Sequence, residues 1–322
     1  MKMKRFLKIL FKTTVYVFAI IGLLTVLFLI AVNKVGYSIG LNIADKQYNE
    51  YVEYLRNSGP YVAETANLDM KITIDSLRAA EIKEYFQLDT LYYVDDDTWD
   101  KALAIGKFVT TNIPHANQKE YPKNVNAIGL WEYTKNVDPA FNCRLHSIMT
   151  FELLSAAGIK ARYITCLPKD KNDRDCHVVN EVWLPELNKW VMLDTDMGGH
   201  YVTDASGKLL SLREMREHYI ADKKMLFYPG YEDGHSNKTY YYKYMAKNSY
   251  WYARWNNLGF YQEDYDNHPS YELRETYYAL VPSGFEPFDK KHNRHTSTAT
   301  NDEEQFWKYF NNNMSSLNKY NL

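Results

Sequence analysis

The sequence predicts an α+β protein in which a cysteine-bearing helix packs on an antiparallel sheet, preceded by one N-terminal transmembrane helix. An uninterrupted apolar run covers residues 15–32, which is long enough to cross a membrane. Apolar residues then recur at helical spacing over 143–157, and three stretches rich in Val, Ile, Tyr and Trp follow. Helix and sheet signals that follow one another in this way are typical of the α+β class.

The N-terminal apolar run predicts an uncleaved membrane anchor. The basic residues before it are Lys2, Lys4, Arg5, Lys8 and Lys12, and no acidic residue occurs before Asp45. This charge bias places the N-terminus in the cytosol and the rest of the chain outside it. The run exceeds the ~7–15 residues of a signal-peptide core, and no Ala-x-Ala-like site follows Ala31. A cleaved signal peptide is the alternative, and it leads to the same compartment.

Length and charge limit the remaining possibilities. The 322 residues carry a formal net charge of −2, so the chain has no global attraction for nucleic acid. We expect a basic cytosolic tail (1–12), a transmembrane anchor (13–33), a helical stalk or packing segment (34–96), a catalytic core (97–225) and an aromatic-rich C-terminal extension (226–322). The helices expected before the core's nucleophile cover 43–57, 75–86, 98–112 and 127–133.

The next predicted helix begins at Cys143. Asn142 is a good N-cap, Leu145, Ile148 and Leu153 recur at helical spacing, and Gly158 is a natural stop. The first helical turn offers unpaired backbone N–H groups and the positive end of the helix dipole, which stabilise a thiolate. A lone cysteine in this position is more often a small buried hydrophobe. The catalytic interpretation therefore depends on the residues that follow.

Three predicted strands supply a base and a carboxylate. They cover 161–167, 176–184 and 190–195, and a turn with Pro185 at its second position joins the last two. A hairpin folded about the centre of this turn sets His177 directly opposite Asp194. Cys143, His177 and Asp194 then form a nucleophile, a base and a carboxylate that orients the base. Read alone, His177 and Asp194 are each compatible with a structural role.

The other cysteines allow two alternatives. Cys143 with His146, and Cys176 with His177, offer zinc ligands, and Cys166 adds another. The side chains of neighbouring strand residues point to opposite faces, which argues against a shared ion. We therefore expect no metal and no cofactor. A hairpin centred near Lys171 brings Cys166 opposite Cys176, so a disulfide is compatible with the sequence.

The C-terminal region is rich in aromatic residues. Eleven tyrosines lie between Tyr240 and Tyr278, together with Trp251 and Trp255. Such residues can line a groove for glycan or peptide, since each has an apolar face and a polar tip. The favoured alternative is that they pack the extension on the core. His292 and His295 lie in a polar segment and are interpreted as solvated.

The two central segments resemble the core of the transglutaminase-like superfamily. They read NCRLHSIMTFELLSAAGIKARYITCLP and CHVVNEVWLPELNKWVMLDTD. The resemblance covers roughly 97–222 and rests on Cys143, Gly158, Arg162, His177, Glu181, Trp190 and Asp194. It implies a papain-like arrangement in which the Cys143 N–H and an upstream side chain stabilise an oxyanion. Trp131 and Asn142 are the candidates for that side chain.

Glu181 shares a strand face with His177, so it is either a support for the site or a solvated strand charge. Trp190 is interpreted as a core residue. The sequence therefore predicts an extracytoplasmic, thiol-dependent acyl-transfer enzyme that acts on amide or peptide bonds as a protease, deamidase or transglutaminase. Its expected partner is a cell-envelope protein or peptide, with glycan contact through the Tyr/Trp-rich extension. The alternative is a non-catalytic binding or scaffold module of the cell envelope.

Overall fold

A computed structural model describes residues 2–62, 68–196, 198–229, 238–260, 276–287, 296–308 and 313–315. The chain divides into two compact units, Met1–Glu50 and Tyr51–Leu322. The predicted residues His292 and His295 lie outside the described residues, as does part of the tyrosine-rich segment.

The N-terminal unit lies within the helix α1, which extends over Lys2–Arg56. Its segment Lys8–Gly36 is long and apolar enough to cross a membrane. At ~1.5 Å per residue the segment exceeds the ~30 Å thickness of a bilayer's hydrocarbon core. The structure therefore confirms one N-terminal helix that is long and apolar enough to span a membrane.

The second unit is α+β. The other helices of the described residues are α2 (Ser76–Tyr85), α3 (Thr98–Asn112), α4 (Ala127–Asn136), α5 (Cys143–Ala156), α6 (Leu212–Ile220), α7 (Lys238–Lys247) and α8 (Glu303–Trp307). The strands are β1 (Lys71–Asp75), β2 (Ala161–Leu167), β3 (His177–Leu184), β4 (Lys189–Leu193), β5 (His200–Asp204), β6 (Met225–Pro229), β7 (Trp251–Trp255), β8 (Asn257–Gly259), β9 (Thr276–Leu280), β10 (Thr296–Thr300) and β11 (Asn313–Ser315).

Among the described residues, the largest sheet has six strands in the order β10-β9-β7-β2-β3-β4. Its neighbours are antiparallel except for the parallel pair β9 and β10. Helix α5 packs on β2 and β3, and α2, α3 and α4 pack on α5. The core between these layers includes Leu145, Met149, Val178 and Val191, all buried. The predicted packing of the Cys143 helix on a mainly antiparallel sheet is therefore confirmed.

The C-terminal extension contributes strands to this sheet. Strand β7 pairs with β2, and β9 pairs with β7. Among the described residues, Trp251, Tyr252 and Trp255 are buried. These aromatic residues pack the extension on the core, as the favoured alternative expected. The sheet is shared by the predicted core and extension, and the boundary at 225/226 stays a prediction.

The predicted register of β3 and β4 is wrong by two residues. Asn180 lies opposite Leu193 and Leu184 lies opposite Lys189, so His177 is not the direct partner of Asp194. The connection is a four-residue loop instead of a two-residue turn. Two overlapping turns close it, with Leu187 N–H donating to Leu184 O and Asn188 N–H donating to Pro185 O. Asn188 takes the left-handed conformation, with φ 50°, which asparagine tolerates better than most residues.

Candidate active site

Helix α5 starts where the sequence predicts. The Asn142 side chain accepts a hydrogen bond from Leu145 N–H at 3.2 Å, which caps the first turn. A backbone bridge fixes the approach to this turn, because Ala116 N–H donates to Phe141 O and Phe141 N–H donates to Pro114 O. Cys143 is partly exposed at the positive end of the helix. At the other end, Gly158 has φ 79° and ends the helix as expected.

His177 is the first residue of β3 and is buried. Its Nε2 lies 2.6 Å from Oδ2 of Asp194, and its ring is also hydrogen-bonded to the Cys143 side chain. Because Nε2 faces the carboxylate, Nδ1 is the nitrogen left for the thiol. Burial alone would lower the pKa of His177, but Asp194 and Cys143 together raise this pKa well above its ordinary value. The site therefore favours the imidazolium.

Asp194 lies just beyond β4 and is completely buried. Its Oδ2 also accepts a hydrogen bond from the Tyr241 hydroxyl at 2.6 Å, and its Oδ1 accepts one from Asp196 N–H at 2.9 Å. The next residue, Thr195, is held by the hydroxyls of Thr110 and Thr150. The structure therefore brings Cys143, His177 and Asp194 together despite the different register, through a diagonal contact.

A second imidazole and carboxylate lie beside this group. Nδ1 of His115 is 2.8 and 2.9 Å from the two carboxylate oxygens of Asp196, and this hydrogen bond raises the pKa of His115. Nε2 of His146 is 3.5 Å from Asp196 Oδ1, and burial lowers the pKa of His146. Asp196 and His115 were not predicted from the sequence. The Asp-Thr-Asp spacing could have indicated Asp196, but no local pattern indicates a contact across 81 residues.

The Cys143 side chain opens on a cavity of about 440 Å³. Cys143 and His177 lie in its wall, as do His115, Asn142, Arg144, Arg174 and Tyr244. A cavity of this volume is in the range of small-molecule and peptide sites. The arrangement exposes a partly accessible thiol to a ligand while its base and orienting carboxylate are kept from water.

The other residues singled out in the sequence lie at different distances from the cavity. Asn142 lies in the cavity wall. Trp131 is partly buried, packs against Phe86 and Phe108 at the edge of the hydrophobic core and does not line the cavity, so the structure does not bring this oxyanion candidate to the site. Its apolar ring surface accounts for this placement. Trp190 is buried, in agreement with its interpretation as a core residue.

Glu181 is neither solvated nor part of the site. It is completely buried, and its Oε2 pairs with Arg162 at 2.5 Å. Its Oε1 accepts a hydrogen bond from Leu212 N–H at the start of α6. A buried carboxylate needs such partners to offset its desolvation. Glu181 therefore joins β2, β3 and α6.

The cysteines are all free in the structure. Cys166 lies opposite His177 and not opposite Cys176, so the register expected for a disulfide is wrong by one residue. Among the described residues, the group able to hold a metal ion is Cys143, His177 and Asp196, with ligand atoms within 4.8 Å of one another. This group is not the cysteine-rich set considered from the sequence, and it shares two residues with the candidate catalytic group.

These features define an α+β protein with a cysteine, histidine and aspartate centre at the start of a helix. A family model of the transglutaminase-like superfamily matches residues 89–195, which include Cys143, His177 and Asp194. This part of the chain is therefore a transglutaminase-like domain.

No curated protein matches the chain. Among solved structures, the chain is similar to a candidate cysteine protease from Cytophaga hutchinsonii, with 17% identity and a TM-score of 0.30. The alignment covers 47% of this chain and 48% of the other, so the chain spans about half the length of that protein.

Proposed function

We propose that the protein is a thiol-dependent acyl-transfer enzyme that acts on amide or peptide bonds through Cys143, His177 and Asp194. One observation carries the proposal: the three side chains form a continuous chain of hydrogen bonds that ends at a partly exposed thiol in a cavity. A structural cysteine would not need a buried imidazole held between it and a carboxylate. The transglutaminase-like domain at 89–195 supports the same chemistry.

In the first half-reaction the Cys143 thiolate attacks the carbonyl carbon of an amide. The carbonyl π electrons move to oxygen, and a tetrahedral oxyanion forms. When this intermediate collapses, the C–N bond breaks and the amine leaves with the proton of the His177 imidazolium. A thioester on Cys143 and a neutral His177 remain. Asp194 holds the ring and stabilises its charged form throughout.

In the second half-reaction, His177 takes a proton from an incoming nucleophile. Water yields a carboxylic acid and makes the protein a protease or deamidase, whereas a lysine amine yields a new amide and makes it a transglutaminase. The thiolate leaves in either case and the starting state returns. Backbone N–H of Cys143 is one donor for the oxyanion, and Asn142, which lies in the cavity wall, is a second.

We place the enzyme outside the cytosol, as a single-pass membrane protein with a cytosolic N-terminus. Five basic residues precede the apolar helix Lys8–Gly36 or lie at its start, which favours this orientation. The proposed partner is a protein or peptide of the cell envelope, with glycan contact through the aromatic C-terminal region.

The chain offers an internal control for a test of the thiol chemistry. Cys143 and Cys176 are both free and partly exposed, but burial raises the pKa of Cys176. We expect iodoacetamide to label Cys143 rapidly at about pH 6, where an isolated thiol is almost entirely protonated, and to label Cys176 slowly. Mass spectrometry of the full chain in nonionic detergent measures both rates.

The His177→Ala variant is the matched comparison. We expect it to reduce Cys143 labelling at this pH to the rate of Cys176, because the imidazolium that stabilises the thiolate is gone. Equal, slow labelling of both cysteines in the wild-type chain would exclude the catalytic proposal. It would leave the non-catalytic binding module as the better account.

A further inference from the structure

Two cationic side chains line the cavity beside Cys143, and neither forms an ion pair with a carboxylate among the described residues. We infer that it selects acyl donors that carry a carboxylate close to the reacting amide. This inference rests on the proposed function and names a substrate class for the same site. The residues that carry it are Arg144 and Arg174.

Arg144 directly follows the nucleophile and lies in the cavity wall. The Tyr277 hydroxyl is hydrogen-bonded to it, which limits the positions of its guanidinium. The side chains that interact electrostatically with its guanidinium are tyrosines and Cys176. Arg144 forms no ion pair with a carboxylate among the described residues. Its guanidinium is therefore available to pair with a carboxylate that a ligand supplies.

Arg174 lies in the loop between β2 and β3 and also lines the cavity. Its acidic neighbours are already engaged. Lys247 forms ion pairs at 2.9 Å with both Asp173 and Asp175, and the Tyr244 hydroxyl donates to Asp175 at 3.0 Å. Arg174 itself forms no ion pair with the described carboxylates, so its donors remain available to a ligand.

The other acidic groups near the nucleophile do not neutralise these arginines. Asp194 and Asp196 are buried behind the cavity wall, and each is hydrogen-bonded to an imidazole. The accessible wall therefore presents two guanidinium groups and the imidazole of His115 near one exposed, already paired carboxylate, Asp175. Guanidinium groups bind carboxylates through paired, charge-assisted hydrogen bonds. In an amide substrate, the matching group is an acidic side chain or a terminal carboxylate.

Two small alkylating reagents test the charge preference directly. Iodoacetate carries a carboxylate, iodoacetamide is its neutral counterpart, and in both cases the thiolate displaces iodide from the same carbon. We expect the rate ratio of iodoacetate to iodoacetamide at Cys143 in the full chain to exceed that of free cysteine. Each of Arg144→Gln and Arg174→Gln should lower the ratio about threefold, as expected for one unit charge at several ångströms in a wet site.

The control is Lys107→Gln, which removes an exposed positive charge outside the cavity. We expect this variant to keep the wild-type ratio, and about 0.5 M salt to reduce the ratio in the wild type. The iodoacetamide rate and the circular dichroism spectrum report separately on thiol activation and folding. A loss of structure in either arginine variant would change these two measurements. It would therefore be distinguished from a loss of carboxylate preference, which changes the rate ratio alone.

The outcomes separate this inference from the proposed function. Slow labelling by both reagents would exclude thiol activation itself. Fast labelling with a ratio equal to that of free cysteine, unchanged in the arginine variants, would overturn only the carboxylate preference. Chloromethyl ketones of acetyl-Ala-Glu and acetyl-Ala-Gln then identify the source of the carboxylate. Faster inactivation by the glutamyl reagent supports recognition of an acidic side chain in the acyl part of the substrate. Equal rates support recognition of a terminal carboxylate in the part that leaves as the amine.

Discussion

Two aspartates that are two residues apart hold two different imidazoles at this site. Asp194 binds His177, and Asp196 binds His115. A buried carboxylate is tolerated only when hydrogen-bond donors replace its water, and the donors to Asp194 include His177, the Tyr241 hydroxyl and Asp196 N–H. These donors fix the carboxylate in one orientation, which in turn fixes His177 toward Cys143.

We expect Asp194→Asn to lower the pKa of His177, because the anion that favours the imidazolium is lost. Release of p-nitrophenolate from p-nitrophenyl acetate should fall by about 100-fold or more. Asp196→Asn is the matched control, and it should leave the pKa of His177 raised. NMR titration of His177 in both variants measures the difference. If the pKa of His177 fell in Asp196→Asn and not in Asp194→Asn, Asp196 would be the carboxylate that stabilises the His177 imidazolium.

The same raised pKa has a consequence for stability. The folded state holds the His177 proton more tightly than the unfolded chain does. Its contribution to the free energy of unfolding is therefore fully present below about pH 6.5, the ordinary pKa of histidine, and is lost as the pH rises through the raised value. We expect thermal unfolding of the wild-type chain to show this loss above neutral pH, and unfolding of Asp194→Asn to show much less of it.

At the scale of elements, the start of α5 has two tasks. It caps the helix, and it holds Cys143, the proposed nucleophile, at the cavity. Asn142 takes part in both, since its oxygen caps Leu145 N–H while the residue lines the cavity. Substitution of Asn142 can separate its capping role from its role as a donor to the oxyanion. Serine retains an oxygen that can cap the helix but has no amide N–H.

We expect Asn142→Ala to lower the free energy of unfolding by about 1 kcal/mol, and Asn142→Ser to restore most of it. If the amide donates to the oxyanion, turnover of p-nitrophenyl acetate should fall about 100-fold in both variants. Chemical denaturation and initial rates measure the two effects independently. Wild-type turnover in the serine variant would restrict Asn142 to the capping role.

The elements also mark the limits of prediction from sequence. Helix α5 and strand β2 follow from local periodicity and end within one residue of the predicted bounds. The register of β3 and β4 does not follow from local periodicity, because it depends on the conformation of Asn188 in a four-residue loop. The Cys143, His177 and Asp194 group was nevertheless found, since diagonal and direct partners on one sheet face are both within reach of a long side chain.

At the scale of the molecule, the site extends beyond the part that matches a known family. The match ends at residue 195, whereas Tyr241 and Tyr244 belong to α7. Tyr241 donates to Asp194, and Tyr244 lines the cavity and contacts the ring of His177 at 5.2 Å between centroids. Composition indicated an aromatic extension but could not assign these contacts, because they depend on tertiary packing. The extension completes the environment of the candidate catalytic group.

The orientation of the chain in the membrane is the last prediction. We expect a membrane-impermeant maleimide to label Cys143 in spheroplasts and not in sealed inverted vesicles, because the basic residues before the apolar helix stay in the cytosol. Cys143→Ala identifies the labelled thiol. Replacing Lys2, Lys4, Arg5, Lys8 and Lys12 with Gln should produce a mixture of both orientations. Labelling confined to inverted vesicles would place the thiol in the cytosol, which would restrict the proposed enzyme to cytosolic substrates without changing its chemistry.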